Sequence, residues 1–401
     1  MDLSGLRAIE TADVTGKRII VRADLNVPAK DGKVTDATRL ERIVDGLRDL
    51  SRRGARIIVI SHFGRPKGRD ESQTLRPVAE ALAGLVGAPI AFASDCIGPA
   101  ASAVVDALKP GEIAVLENLR FHAGEEKNDA AFVAELAKLG DIYVNDAFSA
   151  AHRAHASTEG LAHVLPAFAG PLMMEEIDAL RSVLESPKRP VAAIVGGAKV
   201  STKIPVLEHL ADKVDHLVIG GGMANTFLLA QGYAVGRSLA EPDFAPMALQ
   251  VLAAAKAHGC KVFLPTDAAA ASEFKAGAAH AMVGVGDVPV DAMILDFGPA
   301  SAAALCRVLD TCSTVLWNGP LGAFEIAPFD AATNTVARHV AALTKAGKVV
   351  SVAGGGDTVA ALNAAGVAAD FTYVSSAGGA FLEWLEGREL PGVVALARGR
   401  R

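Results

Sequence analysis

Short aliphatic runs with the character of buried strands alternate with helical patterns along the 401-residue chain. Four runs lie in the first half and six in the second, at residues 18–21, 55–60, 113–116, 141–144, 191–195, 216–219, 261–264, 314–317, 349–352 and 371–374. Strands that alternate with helices form parallel sheets with both faces covered. The pattern therefore predicts an α/β fold of two doubly wound, Rossmann-like parallel-sheet domains.

Chain length also indicates two domains, because 401 residues exceed what one hydrophobic core usually spans. We expect an N-terminal domain over residues 1–170 and a second domain over residues 187–374. A helical pattern at 172–184 lies between two proline-containing segments. This pattern predicts a connecting helix, or hinge, over residues 171–186.

Charge and composition argue against several classes of function. A net charge of −6 provides no overall basic field for nucleic acid or a membrane surface. The cysteines, which are Cys96, Cys260, Cys306 and Cys312, lack metal-site spacing, so free thiols in a reducing cytoplasm are expected. No signal peptide is predicted at the N-terminus. The longest uncharged stretch, residues 217–236, contains five glycines and predicts a strand, a turn and a helix rather than a membrane span.

Loops with single arginines follow the runs of the first half. A guanidinium group binds phosphate and carboxylate oxygens through paired hydrogen bonds. The loops therefore predict a site for a small polyanion, in which carboxylate and amide side chains contact substrate hydroxyls. The candidate ligands are Asp24, Asn26, His62, Arg65, Arg120 and Arg153. His152 and His155 have the spacing of neighbours on a helix, but no third metal ligand is near them.

A helix is predicted to begin at Thr38, because five apolar residues follow at the spacing of one helix face. Thr38 and Glu41 have the spacing of a capping box. Arg39 would then lie in the first helical turn. There the helix dipole and the guanidinium group could together face a transferring phosphoryl group.

Glycine clusters take the place of the arginine loops in the second half, at residues 196–197, 220–222, 319 and 354–356. Glycines let phosphate groups approach backbone N–H groups. Lys199 and Lys203 are one helical turn apart and would project from one face of a first turn. Cations there oppose the helix dipole, so a bound phosphate would explain them. The alternative is a pair of solvated lysines on a surface helix.

Two acidic residues near these clusters are further candidates. Asp357 could hold Mg²⁺ that is bound to a nucleotide phosphate, or it could simply cap a tight turn between a strand and a helix. Glu325 could accept hydrogen bonds from ribose hydroxyls, or it could be a solvated loop residue.

Several catalytic motifs do not occur. Residues 196–199 do not form a Walker A loop, and Asn225 and Val359 stand where a dinucleotide fingerprint requires its last glycine. No serine nucleophile elbow, zinc-protease motif or protein-kinase catalytic loop is found. A reaction without a general base fits phosphoryl transfer between groups that are already ionised. A nicotinamide-dependent oxidoreductase and a non-catalytic anion-binding protein remain the alternatives.

The loops, in this order, resemble the phosphoglycerate kinase family over nearly the whole chain. The resemblance runs from Arg22-Ala23-Asp24-Leu25-Asn26-Val27-Pro28 to Leu385-Glu386-Gly387-Arg388-Glu389-Leu390-Pro391-Gly392-Val393. It implies reversible transfer of the acyl phosphate of 1,3-bisphosphoglycerate to MgADP, which gives 3-phosphoglycerate and MgATP. It also implies a cytoplasmic, monomeric kinase of glycolysis that closes by hinge bending, and whose residues 375–401 return to the first domain.

The resemblance also implies roles for individual residues. Arg39, Lys199, Lys203 and Gly356 would be catalytic. Phosphoglycerate would be bound by Asp24, Asn26, Arg39, His62, Arg65, Arg120 and Arg153. The nucleotide would be bound by Lys203, Gly220, Gly221, Asn318, Glu325, Gly354, Gly355, Gly356, Asp357 and Thr358, and its Mg²⁺ by Asp357. Ala377 departs from the family pattern, which has glycine there, and would restrict the backbone slightly.

Overall fold

The computed structural model describes residues 2–400 and divides into two compact units. One unit consists of Met1–Ile177 together with Glu389–Arg401, and the other of Asp178–Arg388. Residues 1 and 401, at the outer ends of the predicted domain ranges, lie outside the described residues. The predicted fold class is confirmed, because each unit contains a parallel sheet whose strands are connected through helices.

The first unit is built on a parallel sheet. The strands of this unit are β1 (Arg18–Arg22), β2 (Ala29–Lys30), β3 (Lys33–Val34), β4 (Arg56–Ile60), β5 (Ile90–Ala93), β6 (Ile113–Leu116), β7 (Ile142–Asn145) and β8 (Ala167–Ala169). The sheet has the order β5-β6-β4-β1-β7-β8, while β2 and β3 form an antiparallel pair. Its inner strands are buried almost throughout, which explains why they are continuous aliphatic runs.

Helices cover this sheet and lead into the second unit. They are α1 (Thr38–Arg52), α2 (Arg76–Val86), α3 (Gly98–Ala107), α4 (Ala130–Ala137), α5 (Leu161–Val164) and α6 (Pro171–Leu184). The predicted apolar face of α1 is buried. Its predicted capping box is wrong. Asp36 instead accepts hydrogen bonds from the backbone N and the hydroxyl of Thr38, at 2.9 and 2.6 Å, so Thr38 is already inside the helix.

The second unit contains a larger set of strands. They are β9 (Val191–Val195), β10 (His216–Ile219), β11 (Lys261–Phe263), β12 (Asp267–Ala271), β13 (His280–Gly284), β14 (Met293–Phe297), β15 (Thr314–Asn318), β16 (Val350–Gly354) and β17 (Tyr373–Ser375). The parallel sheet has the order β11-β10-β9-β15-β16-β17, which is the Rossmann order. The strands β13, β12 and β14 form a separate antiparallel sheet that the sequence did not predict.

The helices of the second unit are α7 (Ile204–Ala211), α8 (Gly222–Ala230), α9 (Ala245–Ala257), α10 (Pro299–Leu309), α11 (Ala331–Lys345), α12 (Gly356–Ala364) and α13 (Gly378–Leu385). The stretch 217–236 forms β10, a turn and α8, as predicted. No helix among the described residues is long and apolar enough to cross a membrane. Ala377 has φ −100°, which lies outside the left-handed range that favours glycine, so alanine does not have to adopt a positive φ at this position.

The chain returns to the first unit through α14 (Pro391–Arg398), which packs against β8 and α5. The backbone N of Gly392 donates to the carbonyl of Ala151 at 2.9 Å. The preceding helix, α13, packs against α7 within the second unit. The observed return therefore begins at Glu389, later in the chain than the predicted position 375.

Each parallel sheet has a point at which the chain connections change direction. In the first unit this point lies between β1 and β7, and in the second between β9 and β15. Ligands of open α/β sheets bind beyond the carboxyl ends of the strands at such switch points. The loops that begin at Ala23, Asp146, Gly196 and Gly319 therefore lie where a ligand is expected.

Candidate active site

Arg39 and Asp24 meet at the switch point of the first unit. Asp24 Oδ2 accepts hydrogen bonds from the Arg39 guanidinium at 3.2 Å and from the Ser149 hydroxyl at 2.6 Å. Arg39 Nη1 also donates to the carbonyl of Asn26 at 2.9 Å. The Arg39 side chain keeps 39% of its surface exposed. These contacts hold a guanidinium group at the carboxyl end of β1, where it is still accessible to a ligand.

Gly64 joins three of the predicted loops. Its backbone N donates to Asn26 Oδ1 at 2.9 Å, and its carbonyl accepts from Arg120 Nη1 at 2.6 Å. Gly64 has φ +60°, and a Cβ there would lie 2.1 Å from Gln73 Oε1. Only glycine suits this position without rearrangement. Asp24, Asn26, Arg39 and Arg120 thus belong to one connected network.

His62 is held neutral, with a defined tautomer. Arg22 Nη2 lies 2.9 Å from His62 Nδ1, and since arginine can only donate, Nδ1 accepts. The ring proton of the neutral imidazole is therefore on Nε2. Burial, followed by the charges of Arg22, Arg120 and Arg153, lowers the pKa of His62 to about 2. His62 is thus an uncharged N–H donor at neutral pH.

A buried carboxylate compensates the charge of Arg22. The side chain of Arg22 is buried and donates from Nε to the Ser157 hydroxyl at 3.0 Å. That hydroxyl donates to Glu125 Oε1 at 2.6 Å, and the backbone N of Ser157 donates to Oε2 at 3.1 Å. Glu125 is itself fully buried. Glu125, Ser149 and Ser157 were not predicted, since nothing in the local sequence distinguishes them from solvated loop residues.

The other two predicted arginines are placed differently. Arg153 is partly buried, and its charge contributes to the lowered pKa of His62, so it lies close to the network. Arg65 is exposed, and its backbone N donates to Gln73 Oε1 at 2.9 Å. The structure therefore brings together all of the predicted first-unit residues except the side chain of Arg65, which extends from the neighbouring loop.

The low pKa of His62 predicts a loss of stability in acid. The pKa of His62 in the folded protein lies below the usual value of 6.5. The stabilisation that depends on a neutral His62 is therefore fully present above pH 6.5 and is lost as the pH falls towards 2. Between pH 6.5 and 5, the unmodified protein should lose up to about 2 kcal/mol of unfolding free energy through His62, and the His62→Gln variant should be spared this loss. Urea unfolding at both pH values would measure it. His163→Gln, at an exposed histidine of the same unit, should follow the unmodified protein. An unchanged acid loss in His62→Gln would contradict the prediction.

Glycines at the switch point of the second unit let two loops touch through their backbones. The backbone N of Gly196 donates to the carbonyl of Asn318 at 2.8 Å. Gly319 has φ +106°, and a Cβ there would lie 2.1 Å from the oxygen of Gly196. Gly221 has φ +68°, and its Cβ would lie 2.6 Å from the oxygen of Gly197. These glycine clusters are therefore required for loop packing, whether or not a phosphate group binds.

Asn318 links three of the predicted nucleotide loops. Its side chain is buried, accepts from Lys203 Nζ at 2.6 Å and donates to the carbonyl of Gly354 at 2.7 Å. Next to it, the backbone N of Gly319 donates to the Thr358 hydroxyl at 2.7 Å. Burial lowers the pKa of Lys203, while the negative charge of Asp357 acts in the opposite direction. Lys203 and Asp357 are thus close enough to interact.

The predicted geometry of the two lysines is wrong. Lys199 precedes a short 3-10 turn, Val200–Thr202, and Lys203 immediately precedes α7. Helix α7 begins at Ile204 and has Pro205 in its first turn, where a proline is tolerated. The two side chains therefore do not share one face of a helical turn. Lys199 is exposed, whereas Lys203 is partly buried against Asn318.

A cavity of about 470 Å³ opens beside these loops. Gly221, Glu325 and Asp357, which the sequence analysis selected, line it. Much of the remaining lining is apolar and comes from Leu239, Met293, Phe297 and Leu321 among others. Its size and its mixture of apolar surface with a few polar groups are typical of small-molecule sites. The apolar residues were not predicted, because they are scattered along the chain and carry no motif.

Comparisons with known proteins agree with this architecture. A sequence model of the phosphoglycerate kinase family matches residues 9–388. The phosphoglycerate kinase of Methylobacterium radiotolerans is 62% identical over 396 residues, which cover 98% of this chain and 99% of that protein. That of Azorhizobium caulinodans is 62% identical over 392 residues, with 98% and 99% covered. The solved phosphoglycerate kinase of Coxiella burnetii superimposes with a TM-score of 0.92 at 39% identity and 98% coverage of both chains.

The fold, the loops at the two switch points and these matches define an α/β phosphotransferase with two parallel-sheet domains. The chain belongs to the phosphoglycerate kinase family.

Proposed function

We propose that this chain transfers the acyl phosphate of 1,3-bisphosphoglycerate to MgADP, reversibly, giving 3-phosphoglycerate and MgATP. Its membership of the family supports the reaction. The observation that carries the assignment of a site is the network in which Arg39, Asp24, Asn26 and Arg120 are joined through Gly64. A connected cationic network at a switch point suits a ligand with phosphate and carboxylate groups.

In the first unit, the proposed phosphoglycerate ligands are Asp24, Asn26, Arg39, His62, Arg65, Arg120 and Arg153. His62 donates its Nε2–H to an anionic oxygen without adding charge. The guanidinium groups bind the distal phosphate and the carboxylate through paired hydrogen bonds. Arg39 serves in addition as a catalytic residue, because it can contact the phosphoryl group during transfer.

In the second unit, the proposed nucleotide ligands are Lys203, Gly220, Gly221, Asn318, Glu325, Gly354, Gly355, Gly356, Asp357 and Thr358. The apolar part of the cavity suits a base, and Glu325 on its wall suits ribose hydroxyls. Lys199, Lys203 and Gly356 are the proposed catalytic residues of this unit. No neighbouring atom lies within 4 Å of a Cβ built on Gly356, so a phosphate group has space there.

Mg²⁺ is proposed to enter with the nucleotide, and Asp357 is its proposed protein ligand. The carboxylate of Asp357 is exposed, lines the cavity and offers the oxygen atoms that Mg²⁺ prefers. When bound, the ion would neutralise part of the negative charge of the nucleotide phosphates. The carboxylate of Asp357 also interacts with the charge of Lys203. Asp357 can therefore hold Mg²⁺ next to a phosphate group.

The reaction needs no general base, since both the acceptor phosphate and the leaving carboxylate are ionised at neutral pH. Catalysis then consists of placing three atoms in line and stabilising the transferring group. Because the proposed ligands belong to different units, hinge bending is the proposed motion that allows transfer. The proposed functional domains are residues 1–170 for phosphoglycerate and 187–374 for nucleotide, with a hinge at 171–186. The C-terminal segment was predicted over residues 375–401, and the part of it that returns to the first unit begins at Glu389.

The proposed working form is a cytoplasmic monomer that acts in glycolysis on small-molecule substrates. The cysteines Cys96, Cys260, Cys306 and Cys312 are unpaired in the structure, which fits a reducing compartment. Sedimentation at assay concentrations would test the monomeric state.

A coupled assay tests the function directly. ATP should form from 1,3-bisphosphoglycerate and ADP when Mg²⁺ is present, and much more slowly after chelation. Ligand binding without turnover would instead favour a non-catalytic anion-binding protein. Quenching or enhancement of nicotinamide fluorescence, with no ATP formed, would favour an oxidoreductase.

Replacing Lys203 by alanine should weaken MgADP binding by about tenfold or more, because the partly buried ammonium group would no longer face the phosphate. Calorimetry with MgADP would measure the change. Lys213→Ala, at an exposed lysine after α7, is the control and should bind MgADP normally. Unchanged affinity in Lys203→Ala would remove this lysine from the phosphate site.

A further inference from the structure

Three side chains of metal-binding type converge in the first unit, and none of them belongs to the proposed substrate network. Asp95 and Cys96 follow β5, and His122 follows the 3-10 turn Leu119–Phe121. Their potential ligand atoms all lie within 4.8 Å of one another. His122 Nε2 is 2.6 Å from Asp95 Oδ1. No sequence spacing indicates the group, since His122 is distant in sequence from the adjacent pair of Asp95 and Cys96.

The donor set matches a particular class of cation. A thiolate sulfur, an imidazole nitrogen and a carboxylate oxygen together suit Zn²⁺, a borderline-soft ion, and do not suit Mg²⁺. Bond lengths of about 2.0–2.3 Å place tetrahedral ligand atoms about 3.3–3.8 Å apart. The potential ligand atoms lie up to 4.8 Å apart in the structure, so the side chains would have to move by about 1 Å to bind the ion.

The local structure holds these groups in place and leaves a route for the ion. Cys96 is completely buried, and its backbone N donates to Asp95 Oδ1 at 2.7 Å. The imidazole of His122 stacks on Phe132, with ring centroids 5.3 Å apart. The side chains of His122 and Asp95 are 30% and 36% exposed. The buried sulfur is thus the inner ligand, and the ion approaches from the side of the other two.

A cavity of about 410 Å³ lies against His122. It is lined by His122 and by the acidic side chains of Asp129 and Glu135, together with Lys127. Glu135 is paired with Lys138, so the charges at this cavity are balanced and give no preference for a cation or an anion. The cavity also leaves space for a water molecule as the fourth ligand, which is typical of zinc sites with three protein ligands.

We propose that Asp95, Cys96 and His122 bind one Zn²⁺ ion, distinct from the Mg²⁺ that accompanies the nucleotide. The Cys96 Sγ–H bond breaks and the proton leaves to solvent as the S–Zn bond forms. The imidazole stays neutral, but its proton leaves Nε2, where it is donated to Asp95, and Nδ1 takes up a proton by exchange with solvent, so that Nε2 can bind the ion. Asp95 exchanges its hydrogen bond to His122 for a bond to the metal. The oxidation states do not change.

The bound ion would join two loops of the first unit. One leads from β5 to α3, and the other carries Arg120 two residues before His122. Zinc should therefore stabilise the folded first unit, because it bridges segments that are distant in sequence.

A Co²⁺ titration of the full-length, metal-free protein, without nucleotide, tests the proposal. We expect a thiolate-to-cobalt absorption band that saturates at one ion per chain and is abolished by one equivalent of Zn²⁺. Cys96→Ser and His122→Gln should lose the band, and Asp95→Asn should weaken binding at least tenfold. Cys306→Ser is the thiol control. His339→Gln is the second control, because His339 pairs with Asp310 at 2.8 Å and lies outside the proposed site. Both controls should titrate normally.

The thermal midpoint provides an independent readout. Zn²⁺ should raise the midpoint of the unmodified protein and of both controls, and should leave that of Cys96→Ser unchanged. Circular dichroism of each variant before titration checks that it is folded. A missing charge-transfer band in the unmodified protein would overturn the proposal. So would equal Co²⁺ binding by the folded Cys96→Ser variant.

Discussion

Replacing Arg39 by alanine is expected to lower kcat by about 10²-fold or more and to leave KM nearly unchanged. The guanidinium group is fixed by Asp24 and the carbonyl of Asn26, and 39% of the side chain remains accessible. An interaction that strengthens only as the phosphoryl group moves stabilises the transition state and contributes little to ground-state binding. Steady-state kinetics in the direction of ATP formation would measure both constants.

A matched control lies on the same helix. Arg52 is in the last turn of α1, and its contact with Asp49 is an exposed ion pair of the kind that contributes little. Arg52→Ala should therefore keep both constants. A normal kcat with a raised KM in Arg39→Ala would assign Arg39 to substrate binding alone.

Replacing Gly319 by alanine should disrupt the nucleotide loops. Alanine would have to adopt φ +106°, and its Cβ would overlap the backbone oxygen of Gly196. The backbone of Gly319 also forms two hydrogen bonds, since its N donates to the Thr358 hydroxyl and its carbonyl accepts from Trp317 Nε1. We expect a loss of about 3 kcal/mol or more in unfolding free energy, and no measurable MgADP binding. Denaturant unfolding and calorimetry would measure the two effects.

Two other glycines separate the effect on the fold from the effect on the ligand. Gly286 and Gly356 both have ordinary φ angles and open space at the Cβ position. Gly286→Ala should leave stability and affinity unchanged. Gly356→Ala should remain stable but bind MgADP more weakly, because its methyl group occupies the space proposed for phosphate. If Gly319→Ala is as stable as Gly286→Ala, the packing argument for the loops is wrong.

Much of the fold could be predicted because a buried parallel strand has to be apolar along its whole length. The predicted runs correspond to β1, β4, β6, β7, β9, β10, β11, β15, β16 and β17. The antiparallel sheet was missed because β12 consists largely of alanine and β13 is mostly exposed, so neither has the pattern of a strand. The edge strand β5 is likewise only partly buried.

The site could be predicted to the level of loops, and less well to the level of contacts. Arginine and glycine loops have local signatures, and the topology of the sheets brings their ends together. The partners of these loops come from far along the chain. Ser149 reaches Asp24 across 125 residues, and Ser157 reaches Arg22 across 135 residues. Such pairs leave no mark on the local sequence, and neither does the convergence of Cys96 with His122.

The packing of α14 on the first unit constrains the order in which the nascent chain can mature. The surface around Ala151 is completed only by Gly392 and its neighbours, which the ribosome adds after the whole second unit. The unit Asp178–Arg388 is uninterrupted in sequence and can assemble before synthesis ends. The first unit is therefore completed only after the second unit has been synthesised, and until then it exposes apolar surface to chaperones and proteases.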